Sequence, residues 1–246
     1  MCGAHRAKVI CEIKERLKNN IPTKVISTQL VECGVDFDFP IVYRALAGLD
    51  SVAQAAGRCN REGKLSLGDV IVFLPDSKVP VGHLRQSADI SLPILKSKKD
   101  DTFQNESFTE FFTKLFWIKG KEGLDKHDIC SNLSFNAEGK FSFQTASRKF
   151  KIIDDTTYTT VIVKYNGSEE LISQLRLTQP NKKLMRALQR YTVNIPKYVT
   201  QSLLNEEKIQ EIRPGVFVQN HDNLYDQKIG FCADRSSVYT PDELII

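Results

Sequence analysis

Three side chains able to meet a phosphate cluster in Asp50-Ser-Val-Ala-Gln-Ala-Ala-Gly-Arg-Cys-Asn-Arg61, namely Gln54, Arg58 and Arg61. Asp50 or Ser51 suits a helix start, and Ala53, Ala55 and Ala56 favour the helix itself. On such a helix Gln54, Arg58 and Arg61 project from one face. Two permanently charged planar forks beside an amide match a triphosphate. Two arginines alone read better as a solvated helix face. The balance shifts with the preceding segment, Val25-Ile-Ser-Thr-Gln-Leu-Val-Glu-Cys-Gly-Val-Asp-Phe-Asp38. It predicts a short buried strand that breaks at Ser27-Thr28 and turns at Gly34. Hydroxyls and amides at a strand end are a common place for phosphate contact in α/β folds. Gly34 permits close backbone approach, and Asp36 follows as a carboxylate. Taken singly, both are ordinary turn chemistry. Taken with the arginines across the strand-like Ile41-Val-Tyr43, they point to a nucleotide.

The elements that must hold these groups follow from periodicity. Residues 4–19 predict an amphipathic helix with Val9, Ile10, Ile13 and Leu17 as its apolar stripe, stopped by Asn19-Asn20 and Pro22. Asp69-Val-Ile-Val-Phe-Leu74 predicts a buried strand ended by Pro75. Strands alternating with helices indicate a parallel α/β layer. From Val79 to Lys121 the pattern is helical, and its aromatics at 108, 111, 112 and 116 fit a buried helix face better than a base-stacking platform. Beyond residue 140, Phe141–Asp155 and Thr159–Tyr165 predict a hairpin turning at Asp154-Asp155. Glu169–Leu177 predicts a short helix. Asn181–Tyr191 predicts a basic one, with Leu184 and Leu188 inward and Lys182, Lys183, Arg186 and Arg190 outward. Its charges suit a phosphate backbone or simply a solvated surface. Pro214–Gln219 and Asp226–Phe231 read as late strands.

A chain of 246 residues, 41% hydrophobic, can bury one or two cores. Its net charge of +4 is too slight to demand a nucleic-acid partner, so such a role must rest on local patches. Six scattered cysteines and four isolated histidines make no metal-ligand spacing, and reduced thiols in a cytoplasmic protein are the economical reading. No apolar run is long enough for a membrane span.

The string from Ser27 through Pro40, Tyr43–Asp50 and Gln54–Gly63 resembles motifs V and VI of superfamily-two helicases, and among them the CRISPR-associated helicase–nuclease of type I systems. The resemblance implies an α/β fold: a partial RecA-like parallel sheet (the second helicase domain) over 1–80, a helical linker over 81–139 and a small α+β C-terminal domain over 140–246. It implies that Gln54, Arg58 and Arg61 serve catalysis, Gly34, Asp36 and Gly57 lie near nucleotide, and Ser27, Thr28 and Gln29 contact DNA. ATP and Mg²⁺ would be held mainly by a first helicase domain. Neither G-x-x-x-x-G-K-[ST] nor an Asp-Glu-x-His or Asp-Glu-x-Asp box occurs here, and the family's N-terminal His-Asp nuclease motifs find no match. A RecA-like domain also needs about five parallel strands, against three candidates by residue 74. The expectation is the C-terminal part of an antiviral DNA helicase–nuclease, as split subunit, internal-start product or truncated gene. Its partners would be single-stranded DNA, the absent N-terminal half and the CRISPR surveillance complex, Cascade. Alternatives are a non-enzymatic single-strand-binding or docking module, or an inactive remnant.

Overall fold

The computed structural model describes residues 1–28, 31, 34–76, 79, 81–97, 102–133, 141–150 and 157–234. It divides into two compact units, Lys14–Ile152 and Met1–Ile13 with Ile153–Ile246.

The first unit carries the α/β layer. Strand β1 (Ile41–Ala45) pairs in parallel with β2 (Asp69–Phe73), from Ile41↔Asp69 to Ala45↔Phe73, and helix α2 (Leu49–Ala56) lies between them in sequence. Leu49 and Val52 on α2 are fully buried. Leu49 joins Ile90 and Ile94 of α3 (His83–Ser97) and Phe111 and Leu115 of α4 (Asn105–Leu124) in one apolar cluster. The core stripe of α4 is Phe108, Phe111, Phe112 and Leu115; Phe116, expected on the buried face, is instead 49% exposed, and Trp117 is 84% exposed. Gly120 (φ 59) interrupts α4 in a conformation that would strain an L side chain. Ile41, Tyr43, Ile71 and Phe73 share one face of the β1–β2 pair and are all exposed. Two short helices, α5 (Ile129–Asn132) and α6 (Phe143–Lys149), complete the unit.

Two expectations fail here. Val25–Ser27 forms no strand, and Ile26 is fully solvent-exposed. An apolar run becomes a strand only where a ladder and a covered face are available, and neither reaches this segment. Residues 143–149 are helical instead of one arm of a hairpin. Gln144, Ala146, Arg148 and Lys149 are better helix formers than the flanking phenylalanines are strand formers. The predicted Asp154-Asp155 turn lies outside the described residues, as does most of the polar Lys96–Asp101 connection.

The second unit is α+β. A four-stranded sheet has the order β4-β3-β6-β5, with β3 (Tyr158–Ile162) antiparallel to β4 (Thr192–Pro196) and parallel to β6 (Val216–Gln219), which pairs antiparallel with β5 (Ile209–Arg213). Helices α7 (Ser168–Leu177) and α8 (Lys182–Gln189) pack Ile172, Leu175, Leu184 and Leu188 onto Ile162 and Val218. Helix α9 (Lys197–Asn205) buries Leu203 against Val161, Ile195 and Ile209. The late strands shrink to a two-residue pair, β7 (Tyr225–Asp226) with β8 (Gly230–Phe231).

The start of the chain belongs to this second unit. Helix α1 spans Gly3–Lys18, and its first turn seats Cys2 and His5 beside Tyr165 and Tyr225. The His5 ring stacks on Tyr165 at 4.7 Å and shares a hydrogen bond with the Tyr225 hydroxyl at 3.0 Å. Burial lowers the His5 pKa, which keeps this imidazole neutral inside the cluster.

Candidate functional site

Three of the residues singled out by their chemistry, Asp36, Arg58 and Arg61, meet at one place, though not by the route their spacing suggests. Helix α2 starts on Gly48 without a side-chain cap and ends at Gly57, so only Gln54 projects from it. Arg58 and Arg61 lie beyond its end. The chain closes with Arg58 N–H to Ala55 O (3.0 Å) and Cys59 N–H to Ala56 O (2.9 Å), the tightened i→i−3 pattern of a helix terminus. Asn60 then takes φ 44, a left-handed value that asparagine tolerates better than most residues. A spacing of four and three residues imitates a helix face, but a turn brings the two guanidiniums together.

What captures the chain at this turn is the opposite segment. Phe39 N–H donates to Arg58 O at 2.9 Å, and Asn60 N–H donates to Phe39 O at 2.8 Å, a parallel bridge centred on Phe39 and Cys59. The segment carrying Asp36 and the one carrying the arginines are therefore laced by their backbones. Asp36 Oδ1 receives Arg61 Nη2 at 2.8 Å and lies 3.9 Å from Arg58 Nη1. The Arg58 side chain is 13% exposed, against 44% for Arg61 and 68% for Asp36. Arg58 is thus fixed by its surroundings, while Arg61 and its carboxylate face water.

Asn60 and Gly68 were not evident from the sequence as parts of this site. The Asn60 side chain clamps its own loop twice: its amide donates to Leu65 O at 2.7 Å, and Leu65 N–H donates to Asn60 Oδ1 at 2.9 Å. A Cβ on Gly68 would lie 2.7 Å from Cys59 Sγ and 2.8 Å from Asn60 Cβ, so glycine lets the loop lie down. The readable signal was an Asn three residues after the helix-ending Gly57, since asparagine tolerates the positive φ of a tight turn. Burial, then the charges of Asp69 and Asp38, push the Cys59 thiol above its ordinary pKa. It is a neutral packing group that donates to Pro40 O and Asp69 O, and no thiolate nucleophile.

This clamp predicts a measurable asymmetry between two substitutions. Asn60→Ala removes two hydrogen bonds and strains a positive φ, and is expected to destabilise the 58–65 loop by about 1–3 kcal/mol. Asn60→Gly keeps the backbone permitted and is expected to lose less. Amide hydrogen exchange over residues 58–65 checks this; equal protection in both variants would remove Asn60 from any positioning role.

The remaining candidates divide. Ser27, Thr28 and Arg58 line one open cleft of about 1480 Å³, together with β1 and Phe73. Ser27 and Thr28 are exposed. Asp36 lines a smaller neighbouring hollow of about 660 Å³ with Asp38, Asn60 and Lys64. Gly34 has φ 75, which requires glycine, and open space where a side chain would be. Gly57 is a C-cap with φ −64, and Gln54 is exposed on α2. Gln29 lies outside the described residues. Two His-Asp dipeptides occur, His127-Asp128 and His221-Asp222, but their aspartates pair with Lys149 and Lys164. Among the described residues no three His, Cys, Asp or Glu side chains group so as to hold a metal ion, and no helix is long and apolar enough to cross a membrane.

Residues 1–64 match the family model for the C-terminal region of the CRISPR-associated nuclease/helicase Cas3. The CRISPR-associated nuclease/helicase Cas3 of Haloferax volcanii is 43% identical over 79 residues, 30% of this chain and 8% of that protein. Among solved structures, T. fusca Cas3-AMPPNP (TM-score 0.53, 13% identity) and T. fusca Cas3 (TM-score 0.52, 14% identity) share the fold over 89% of this chain. T. fusca Cas3-ATP gives a TM-score of 0.51 at 15% identity over 87%. The chain spans 31% of each of those solved chains. It is similar to the C-terminal portion of a Cas3 helicase, and its α/β class is the one read from the sequence.

Proposed function

We propose that this chain is the arginine-donating half of an ATP-dependent DNA helicase in CRISPR defence, acting on a nucleotide that another domain holds. One observation carries the reading: Arg58 and Arg61 converge on Asp36 from a turn laced to the Asp36 segment. The exposed Asp36–Arg61 pair is worth about 0–1 kcal/mol, as for surface ion pairs generally. A phosphate presented to Arg61 therefore displaces Asp36 at small cost and gains a stronger, doubly charged acceptor. Asp36 parks the finger in the absence of nucleotide, and Arg58 supplies a fixed positive field beside it. ATP fits these donors. Mg²⁺ finds no cluster of carboxylates among the described residues, so it would arrive with the phosphates on the partner domain. Ser27 and Thr28, exposed on the same cleft as Arg58, would meet phosphates of the single strand and couple its position to that of the arginines.

A second support is the uncovered face of β1–β2. Parallel strands are ordinarily covered on both faces, yet Ile41, Tyr43, Ile71 and Phe73 stand in water here. Further helicase elements would cover them, and recruitment by Cascade would act on the assembled enzyme.

Complementation tests the proposal. Neither this chain nor a separately purified domain with a Walker A sequence is expected to hydrolyse ATP on single-stranded DNA, and their mixture is. Turnover by the pure chain would reveal a nucleotide site of its own; an inactive mixture that nonetheless forms a complex would remove the arginines from catalysis.

A further inference from the structure

We infer that the exposed face of α8 is a phosphate-backbone track for single-stranded DNA, separate from the cleft that Arg58 lines. Helix α8 is held by its other face: Leu184 and Leu188 are 6% and 1% exposed in the sheet-covering cluster. Its start is fixed by Asn181, whose side chain accepts from Leu184 N–H at 2.9 Å. Lys182, Lys183 and Arg186 are exposed, and so is Arg190, which continues the helical turn at φ −71, ψ −12. None of the four makes an ion pair among the described residues, and the helix contains no carboxylate. Glu169 and Glu170, in the first turn of α7, make no ion pair with these cations among the described residues.

The arrangement is directional. Lys182, Arg186 and Arg190 recur every fourth residue, which sets them about 6 Å apart along the axis. That interval suits successive phosphates of an extended strand. The Arg190 guanidinium lies 5.9 Å from the centre of the Tyr191 ring, which restrains it. The first turn of α1 then abuts this end, with Ala4 N–H donating to Arg190 O at 2.8 Å. Four cations on a rigid, capped helix recognise a polyanion's backbone and leave its sequence unread. The inference rests on the DNA-helicase reading and adds the contact surface to it.

Fluorescence anisotropy with a labelled oligo-dT and the full chain tests it across a salt series. Four contacts predict a log–log salt slope of about −2.8, from about 0.7 per phosphate on a single strand. Lys182→Gln with Arg186→Gln is expected to flatten the slope by about 1.4 and to weaken binding roughly 60-fold at about 50 mM salt. Mixed-sequence DNA should behave like oligo-dT. Glutamine is a good helix former, and unchanged circular dichroism would show the fold kept. Unaltered affinity and slope in the double variant would overturn the track while leaving a DNA-binding helicase half intact. Polyglutamate binding with no oligo-dT binding at low salt would overturn it in favour of an acidic protein partner, and the ATP hydrolysis test of Arg61 would still decide the helicase reading.

Discussion

Arg61→Ala, in the two-part assembly, is expected to lower DNA-stimulated ATP turnover by about 10³ or more, the range over which an arginine finger acts. The size follows from where Arg61 sits. It is the more exposed of the two arginines, its one ion pair among the described residues is with a solvated carboxylate at 2.8 Å, and its loop is pinned by Asn60. Losing it removes charge at the transition state and disturbs little of the fold, because it packs against little. Asp36→Asn should behave differently. It frees Arg61 without deleting it, so turnover should fall far less. Apparent ATP affinity should change little, since a surface pair of this kind contributes under about 1 kcal/mol. The measurement is steady-state hydrolysis with kcat and KM separated. A loss confined to KM would make Arg61 a binding residue only, and equal losses for Arg61→Ala and Asp36→Asn would make the pair structural.

The legible parts of this molecule were those in which local pattern and burial agree. The stripe of Leu184 and Leu188 marked α8, and Phe108, Phe111 and Phe112 marked the core side of α4, because a helix carries its own hydrogen bonds and needs only an apolar face. Asp69–Phe73 was readable as a strand, a short apolar run closed by Pro75, but the buried setting expected for it is not found: its residues are exposed or half-buried. The convergence of the Asp36 segment on the arginines was also readable, through the resemblance and through residue types suited to phosphate.

What escaped depends on partners remote in sequence. Arg58 and Arg61 match a helix by spacing, yet Asn60 N–H finds Phe39 O and the helix stops at Gly57. The intervals within the segment do not encode that capture. Val25–Ser27 fails as a strand for the converse reason, since its short apolar run has no ladder to join among the described residues. Strand β5 is nearly invisible beforehand because Gln210, Glu211 and Arg213 give it a polar edge, and only its pairing with β6 defines it. Helix α6 shows composition misleading in the other direction, where phenylalanines at its borders suggested a strand.

Phe111→Ala should be the most damaging single truncation in the Lys14–Ile152 unit, at about 3–5 kcal/mol. Phe111 is fully buried where α2, α3 and α4 meet, edge-on to Phe112 at 5.1 Å and in the cluster with Leu49, Ile90 and Ile94. No small side chain can refill that volume without shifting α2, which ends at the turn bearing Arg58. Domains of this size are stable by only about 5–15 kcal/mol, so the loss consumes a large share. Six residues along the same helix, Trp117→Ala should cost within about 0.5 kcal/mol, because its ring is 84% exposed. The contrast separates burial from aromaticity. Hydrogen exchange of α3 and α4 amides reads this unit independently of the other, and it avoids relying on fluorescence from Trp117, the chain's single tryptophan. If Trp117→Ala proved the costlier of the two, a surface now in water would have to be packed in solution, and the assignment of the core to 108, 111, 112 and 115 would fail.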